Sequence, residues 1–278
     1  MPSVERMRPL LGTFVTIRAR SSATSTQTQI DDAIEAAFRA ITRVDQLMSF
    51  HRSNSNIGRL NRLRAGRSLR VHRWTHQVLM EALLLWKWSA GSFDCNVGAS
   101  LIRRGLLPRA VGRRIFWPFG EAVSLKQGNI VKLNTCVQID LGGIAKGFAV
   151  DKAVEVLLAY GMESGCVNAG GDLRVFGEQA QPVFGRHPEN PTQTHAMGSL
   201  TNGAIATSAA YFTQTQKVNE RLSAIVDIKR KRLLTMPHSV SVIAQTCMHA
   251  DALTKIVAIT GRLPTRLMRY ASAKFVTL

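Results

Sequence analysis

Two glycine turns carry the residues whose types and spacing are best suited to chemistry. The first is Asp140-Leu-Gly-Gly-Ile-Ala-Lys-Gly-Phe-Ala-Val-Asp151, in which the glycines precede a helix. Backbone N–H groups at such a helix start can hold phosphate oxygens, because the helix end is electropositive and glycine permits close approach. Lys146 can add a positive charge there. The motif is neither a Walker A loop nor G-x-G-x-x-G, so an ordinary tight turn is the competing reading. The second is Val167-Asn-Ala-Gly-Gly-Asp172, a turn that ends in a carboxylate. A strand-end turn explains it equally well, yet two such turns can converge on one ligand.

Further along, Asp251 begins a helix and is followed by Thr254 and Lys255. Asp and Thr at this spacing share a helix face and can bind a hard cation such as Mg²⁺. Asp251 and Lys255 are equally spaced for an i,i+4 ion pair, worth roughly a few tenths of a kcal/mol. His72 and His76 are four apart, but Trp74-Thr75 between them reads as a helix start, which disfavours a shared metal. The other histidines are scattered, and no Ser/His/Asp order can be argued. Cys95, Cys136, Cys166 and Cys247 form no Cys-x-x-Cys, so a zinc ribbon and a thioredoxin-type pair are excluded, leaving four reduced thiols.

Charge adds a second theme. The chain has 36 Lys+Arg against 18 Asp+Glu, a net +18, which points to an anionic partner: nucleic acid, lipid or phosphate. Arg52, Arg59, Arg62, Arg64, Arg67, Arg70 and Arg73 occur with no acid among them, and Lys229-Arg-Lys-Arg232 is a second cluster. Both could contact nucleic-acid phosphates. Bases are usually gripped by interleaved aromatics, however, and the arginine stretch has none, which favours a solvated basic face. With 45% hydrophobic and 19% charged residues the 278-residue chain has the composition of a globular protein. Val78–Ala90 is the nearest approach to a membrane span, and Glu81 and Lys87 interrupt it. The opening lacks the layout of a signal peptide, so the chain as written is expected in the cytoplasm, or in the periplasm if an upstream export signal is missing.

The elements that must position these residues can be read from periodicity. Phe14–Arg20 is a short strand, followed by a polar stretch, Ser21–Gln29. Ile30, Ile34, Ala37, Phe38, Ile41, Val44 and Met48 recur at helical steps, and Val78 to Ser89 make a second helix that stops at Gly91. Val123–Lys126 and Ile130–Leu133 read as a hairpin around Gln127-Gly-Asn. The helix after the first glycine turn buries Val150, Ala153, Val154, Leu157 and Leu158. Strands follow at Leu173–Phe176, Ala204–Thr207, Leu222–Ile228 and Ser239–Ala244, then helices at Met248–Ile259 and Thr265–Tyr270. The weakest points are Gln179–Thr194 and Thr213–Arg221, with no clean linker. Helices and strands interleave without a βαβ rhythm, so the class is α+β (mixed α/β), in one domain over residues 1–278.

The motifs taken together resemble a known family. Leu11-Gly-Thr13, Leu47-Met-Ser-Phe50, Arg59-Leu-Asn61, Gly91-Ser-Phe-Asp94 with Val97-Gly98, both glycine turns, Ala204-Ile-Ala-Thr-Ser208 and Ala250-Asp-Ala-Leu253 occur in the order seen in the ApbE family, the FAD:protein FMN transferases. The resemblance runs from about Leu11 to Thr260. It implies a flavin-transferase fold of mixed sheets flanked by helices. It also implies a Mg²⁺-dependent reaction in which FAD is cleaved at its pyrophosphate. FMN is joined to a Thr or Ser hydroxyl of a target flavoprotein, in the pattern Asp-x-x-Ser/Thr-Gly-Ala-Ser/Thr, and AMP leaves. The metal would be held by the carbonyl of Ala145 and by Asp251. The flavin-nucleotide pocket would map onto Leu11, Phe50, Ser92, Phe93, Asp94, Gly142, Phe148 and Ile225, with Lys146 and Asp172 near the phosphates and the target loop.

Departures from the family pattern fall on its reactive positions. Lys255 stands where the family has a second metal side chain, a threonine; Thr254 is one position early, about 100° around a helix. A lysine ammonium repels Mg²⁺ but can itself neutralise a pyrophosphate. The family's Ser-His-Ile-Ile-Asp-Pro-x-Thr-Gly reads Ser223-Ala-Ile-Val-Asp-Ile-Lys-Arg-Lys231, so its histidine, a candidate proton acceptor, is Ala224. Ala-Thr-Ser-Gly ends here in Ala209, and the Ser-Asp/Glu-x-Ser-x-Leu-Asn pattern reads Ser55-Asn-Ile-Gly-Arg-Leu-Asn61. Two readings follow: an active FMN transferase, or a non-catalytic flavin-nucleotide binder of the same fold. Nucleic-acid binding is a distant third.

Overall fold

The computed structural model describes residues 3–21, 26–108, 117–186, 194–209, 222–236 and 238–277. The chain begins with a hairpin, β1 (Ser3–Leu10) and β2 (Thr13–Arg20), and continues into a long helix, α1 (Gln27–Met48). Then come α2 (Asn56–Leu60), β3 (Ser68–Arg70), α3 (Arg73–Trp88), α4 (Gly98–Arg103), α5 (Phe119–Ala122), β4 (Val123–Lys126) and β5 (Ile130–Leu133). The central portion is α6 (Ala145–Ala159), β6 (Ser164–Ala169), β7 (Asp172–Phe176), β8 (Gln181–Arg186), β9 (Thr194–Leu200) and β10 (Gly203–Ser208). It closes with β11 (Leu222–Asp227), β12 (Arg232–Thr235), β13 (Val240–Ala244), α7 (Cys247–Thr260), α8 (Thr265–Ala271) and β14 (Lys274–Thr277).

A seven-stranded sheet in the order β1-β2-β6-β7-β10-β13-β14 organises the molecule. Its class is α+β, as expected. The pairings among the described strands are antiparallel, so the sheets are not mixed in direction. Tight hairpins account for this at β1–β2 and β6–β7, where a short turn can only reverse the chain. One face of the sheet turns inward: Val15, Ile17 and Ala19 of β2, Val167 and Ala169 of β6, and Ala204 and Ala206 of β10 are buried. Against this face lie α1, α6 and α7, with α6 packed between the other two. Ile30, Ile34, Phe38 and Ile41 of α1 are fully or almost fully buried there.

Several sequence expectations meet their structural cause here. The polar stretch before α1 contains its cap: Thr26 Oγ1 accepts from the Gln29 N–H at 3.3 Å, and Gln29 Oε1 accepts from the Thr26 N–H at 2.9 Å. That Thr-x-x-Gln capping box starts the helix at Gln27, earlier than the first apolar residue. The β4–β5 hairpin has the expected bounds, and α6 begins at Ala145, directly on the glycine turn. Sequence reading missed β1, an edge strand with Pro9 and three charged residues in which Val4 is the one buried side chain. The weak segment at 179–194 contains β8, and 213–221 lies outside the described residues. Among the described residues no helix is long and apolar enough to cross a membrane.

Candidate active site

Sheet register brings two hairpin turns and one strand end to the same end of the large sheet. The Leu11-Gly12 turn of β1–β2 and the Gly170-Gly171 turn of β6–β7 lie beside each other, because Val15 pairs with Ala169. Ser208 at the end of β10 reaches the same edge. Gly170 and Gly171 have φ of 65° and 103°, which a two-residue hairpin turn with both central residues left-handed requires. Leu11 adopts φ 56°, an uncommon conformation for a branched side chain, and it sits on the wall of a cavity.

Helices α6 and α7 meet at this end and cap each other. Asp151 of α6 accepts from the N–H groups of Cys247 and Met248, in the first turn of α7, at 2.9 and 2.8 Å. Asp251 of α7 accepts from the N–H of Gly147, in the first turn of α6, at 3.1 Å. Each carboxylate meets the positive end of the other helix. Gly147 is required at the crossing, since a Cβ there would lie 2.2 Å from the Cys247 carbonyl oxygen. Arg174, two residues beyond Asp172 on β7, pairs with Asp151 at 2.6 Å and holds the arrangement against the sheet.

The approach to the glycine turn is clamped by side-chain amides. Asn61 donates to the Ile139 carbonyl at 2.9 Å and accepts from the Ile139 N–H at 2.7 Å. Asn96 accepts from the Gln138 N–H at 2.7 Å, and the Asp140 N–H donates to Cys95 at 2.8 Å. These bonds satisfy an extended segment that no strand covers. They explain why Arg59-Leu-Asn61 and the residues after Asp94 accompany the turn in sequence.

Between these elements lies a cavity of about 560 Å³, within the roughly 300–1,000 Å³ usual for ligand sites. Leu11, Phe50, Ser92, Phe93, Asp94, Gly142 and Ile225, all expected in a nucleotide pocket, line it, together with Ala145, Lys146, Ala224 and Lys255. Phe148 does not: it is buried against Trp74, ring centroids 6.2 Å apart. Thr254 is also turned away; it donates to the Asp251 carbonyl at 2.7 Å and its hydroxyl is 2.7 Å from Ser208 Oγ. Asp172 and Asp251 stand behind the wall, bonded to the ammonium groups of Lys146 and Lys255 respectively.

This four-charge cluster has opposing influences on each member. For Asp251, burial favours the neutral acid, but Lys146, Lys255 and the Gly147 N–H outweigh it and hold the carboxyl below its usual range. Burial and the charge of Asp251 push Asp172 up, against Lys146 and Lys255. Burial disfavours the charge on Lys146, but Asp172 and Asp251 overcome this and raise its pKa. Asp94 is pushed up to about 6 by burial, partly offset by N–H bonds from Phe119 and Asn96 and by Trp86. Asp140, also on the cavity wall, is raised by burial. Sequence reading did not single out Asp140 or Arg174; the first heads the glycine motif, and strand alternation puts the second on the face of Asp172.

The donor set does not fit a divalent cation. The place beside Asp251 holds the Lys255 ammonium, which also bonds the Asp251 carbonyl at 3.0 Å. Thr254 faces the interior, and Lys146 adds a second ammonium within the cluster. No group of three His, Cys, Asp or Glu side chains suited to a metal occurs among the described residues. His72 caps α3 by accepting from the Trp74 N–H at 3.2 Å. The four cysteines are free, and burial pushes Cys95 and Cys247 well above the usual thiol range, which makes them poor nucleophiles. The arginines from 52 to 73 are exposed, and the 229–232 cluster spans the turn between β11 and β12 and the first residue of β12, with Asp227 pairing with Arg230 at 2.9 Å.

Comparison with known proteins agrees with this architecture. FAD:protein FMN transferases of Treponema pallidum (strain Nichols) and Vibrio cholerae are 26% and 28% identical, over 92% and 91% of this chain and 78% and 80% of theirs. Among solved structures, the flavin transferase ApbE from Vibrio cholerae superposes with TM-score 0.82 at 22% identity, covering 99% of this chain and 93% of that one. The ApbE protein from Thermotoga maritima gives 0.79 at 25%, covering 99% and 94%. The sequence pattern of the ApbE family matches residues 11–275. On fold, motif order and this match, the chain belongs to the ApbE family.

Proposed function

We propose that this chain, as one domain over residues 1–278, moves the FMN half of FAD onto a Thr or Ser hydroxyl of a flavoprotein and releases AMP. The observation that carries the reading is a single cavity joining a flavin-sized pocket to two lysine ammoniums at a glycine turn. Its relatives named FAD:protein FMN transferases support the same reaction. In this reading the acceptor oxygen attacks the phosphorus on the riboflavin side, the bond to the bridging oxygen breaks, and that oxygen leaves with AMP. Lys146 and Lys255 neutralise the phosphate oxygens as charge moves onto the leaving group. Asp172 and Asp251 hold the two ammoniums in place. Asp172 stands behind the cavity wall on Lys146, out of reach of the acceptor, so the hydroxyl proton leaves through the cavity to water. The pocket of Leu11, Phe50, Ser92, Phe93, Asp94, Gly142 and Ile225 would hold the flavin nucleotide, and orientation there converts the attack into an effectively unimolecular step.

The test is to incubate the protein with FAD and an acceptor domain carrying Asp-x-x-Ser/Thr-Gly-Ala-Ser/Thr, then to read covalent flavin fluorescence on the denatured acceptor. Label that disappears when the acceptor hydroxyl is replaced by Ala supports transfer. A second reading, a non-catalytic flavin-nucleotide binder, is favoured by Ala224 on the cavity wall where the family pattern has a histidine. It predicts tight FAD binding and an unlabelled acceptor.

A further inference from the structure

We infer that the Lys255 ammonium, seated on Asp251, is a built-in cation for the pyrophosphate of the nucleotide, so that binding in this chain needs no divalent metal. The inference rests on reading the cavity as a flavin-nucleotide site. Its geometric basis is the placement of Lys255. The side chain rises one turn beyond Asp251 and bonds both its carboxylate and its main-chain carbonyl. Its stem passes over the glycine turn: a Cβ on Gly143 would lie 3.5 Å from Lys255 Cε. The lysine is 18% exposed and lines the cavity, while the Asp251 carboxylate behind it is fully buried. An anion in the cavity therefore meets the ammonium before it meets the aspartate.

Charge balance points the same way. Asp172, Asp251, Lys146 and Lys255 together sum to zero, each carboxylate already holding one ammonium. A dication placed at Asp251 would enter a neutral cluster at contact distance from an ammonium and would have to expel it. A pyrophosphate entering from the cavity would instead face two ammoniums held in fixed positions, at little cost in reorganisation. Lysine suits this task as a compact point charge on a flexible stem.

The experiment compares FAD binding by the full chain in EDTA and in excess Mg²⁺, read by quenching of flavin fluorescence, with inorganic pyrophosphate measured in parallel by calorimetry. The expected result is an FAD dissociation constant that agrees within about twofold between the two conditions. Lys255→Thr is expected to weaken binding in EDTA by at least about tenfold and to make it respond to Mg²⁺, whereas Lys255→Arg keeps metal-free binding. The wild-type comparison needs no variant to fold. FAD bound by the wild type only with Mg²⁺ would overturn the inference and leave the flavin reading standing. So would equal binding in EDTA by wild type and Lys255→Thr. Pyrophosphate held in EDTA by wild type but not by Lys255→Thr, without FAD binding, would uphold the lysine site and overturn the flavin reading. No binding of either probe would overturn both.

Discussion

At the scale of single residues, the site differs from its neighbours in how it treats charge. Asp172 and Asp251 are buried but paired with lysines, while Asp94 is half-buried on the cavity wall with only N–H donors around it. Burial raises Asp94 from 3.8 to about 6, so the folded state holds its proton more tightly than the unfolded chain. Stability from this group is therefore fully present below about pH 4, falls as pH rises to about 6, and is flat beyond, a loss of about 3 kcal/mol. Asp94→Asn removes the titration. Its denaturation midpoint relative to wild type is expected to climb between about pH 4 and pH 6 and then level off. A difference independent of pH in chemical denaturation would sink this account of Asp94.

At the scale of elements, the site depends on how closely α6 and α7 approach. Gly147→Ala must push Cβ against the Cys247 carbonyl and the Met248 Cα. It is expected to lose about 1–3 kcal/mol or more and to weaken FAD binding, because the Gly147 N–H holds Asp251. Gly161, just past the other end of α6, has φ 79° and open space around it, so Gly161→Ala should lose about 1 kcal/mol and leave FAD affinity unchanged. Thermal melts and flavin titrations of the pair check this. The same elements show what sequence could reveal. The helical repeats of α1 and α3, the β4–β5 hairpin and the glycine turns were legible because each is written in local periodicity or local turn chemistry. The reciprocal caps by Asp151 and Asp251 were not, since they join residues 96 to 104 positions apart. Most cavity residues were legible through resemblance; the offset of Thr254, about 100° of helix phase, was legible too, whereas Phe148 turned inward against Trp74, which its place in the motif does not reveal.

At the scale of the whole molecule, the net charge of +18 is spread over exposed arginines far outnumbering the two lysines at the cavity. Such a field draws an anionic nucleotide toward the protein but is screened within about 8–10 Å at physiological salt. The association rate of FAD is therefore expected to fall several-fold between about 50 and 500 mM salt, while its dissociation rate changes much less. Stopped-flow quenching separates the two rates, and a salt effect confined to dissociation would contradict this role for the surface charge. The most direct test of the whole account is the amount of AMP released and FMN esterified in one reaction of protein, FAD and acceptor domain. Equal amounts of both, growing together and lost on replacing the acceptor hydroxyl, are predicted. FAD bound in the cavity with neither product formed would contradict it.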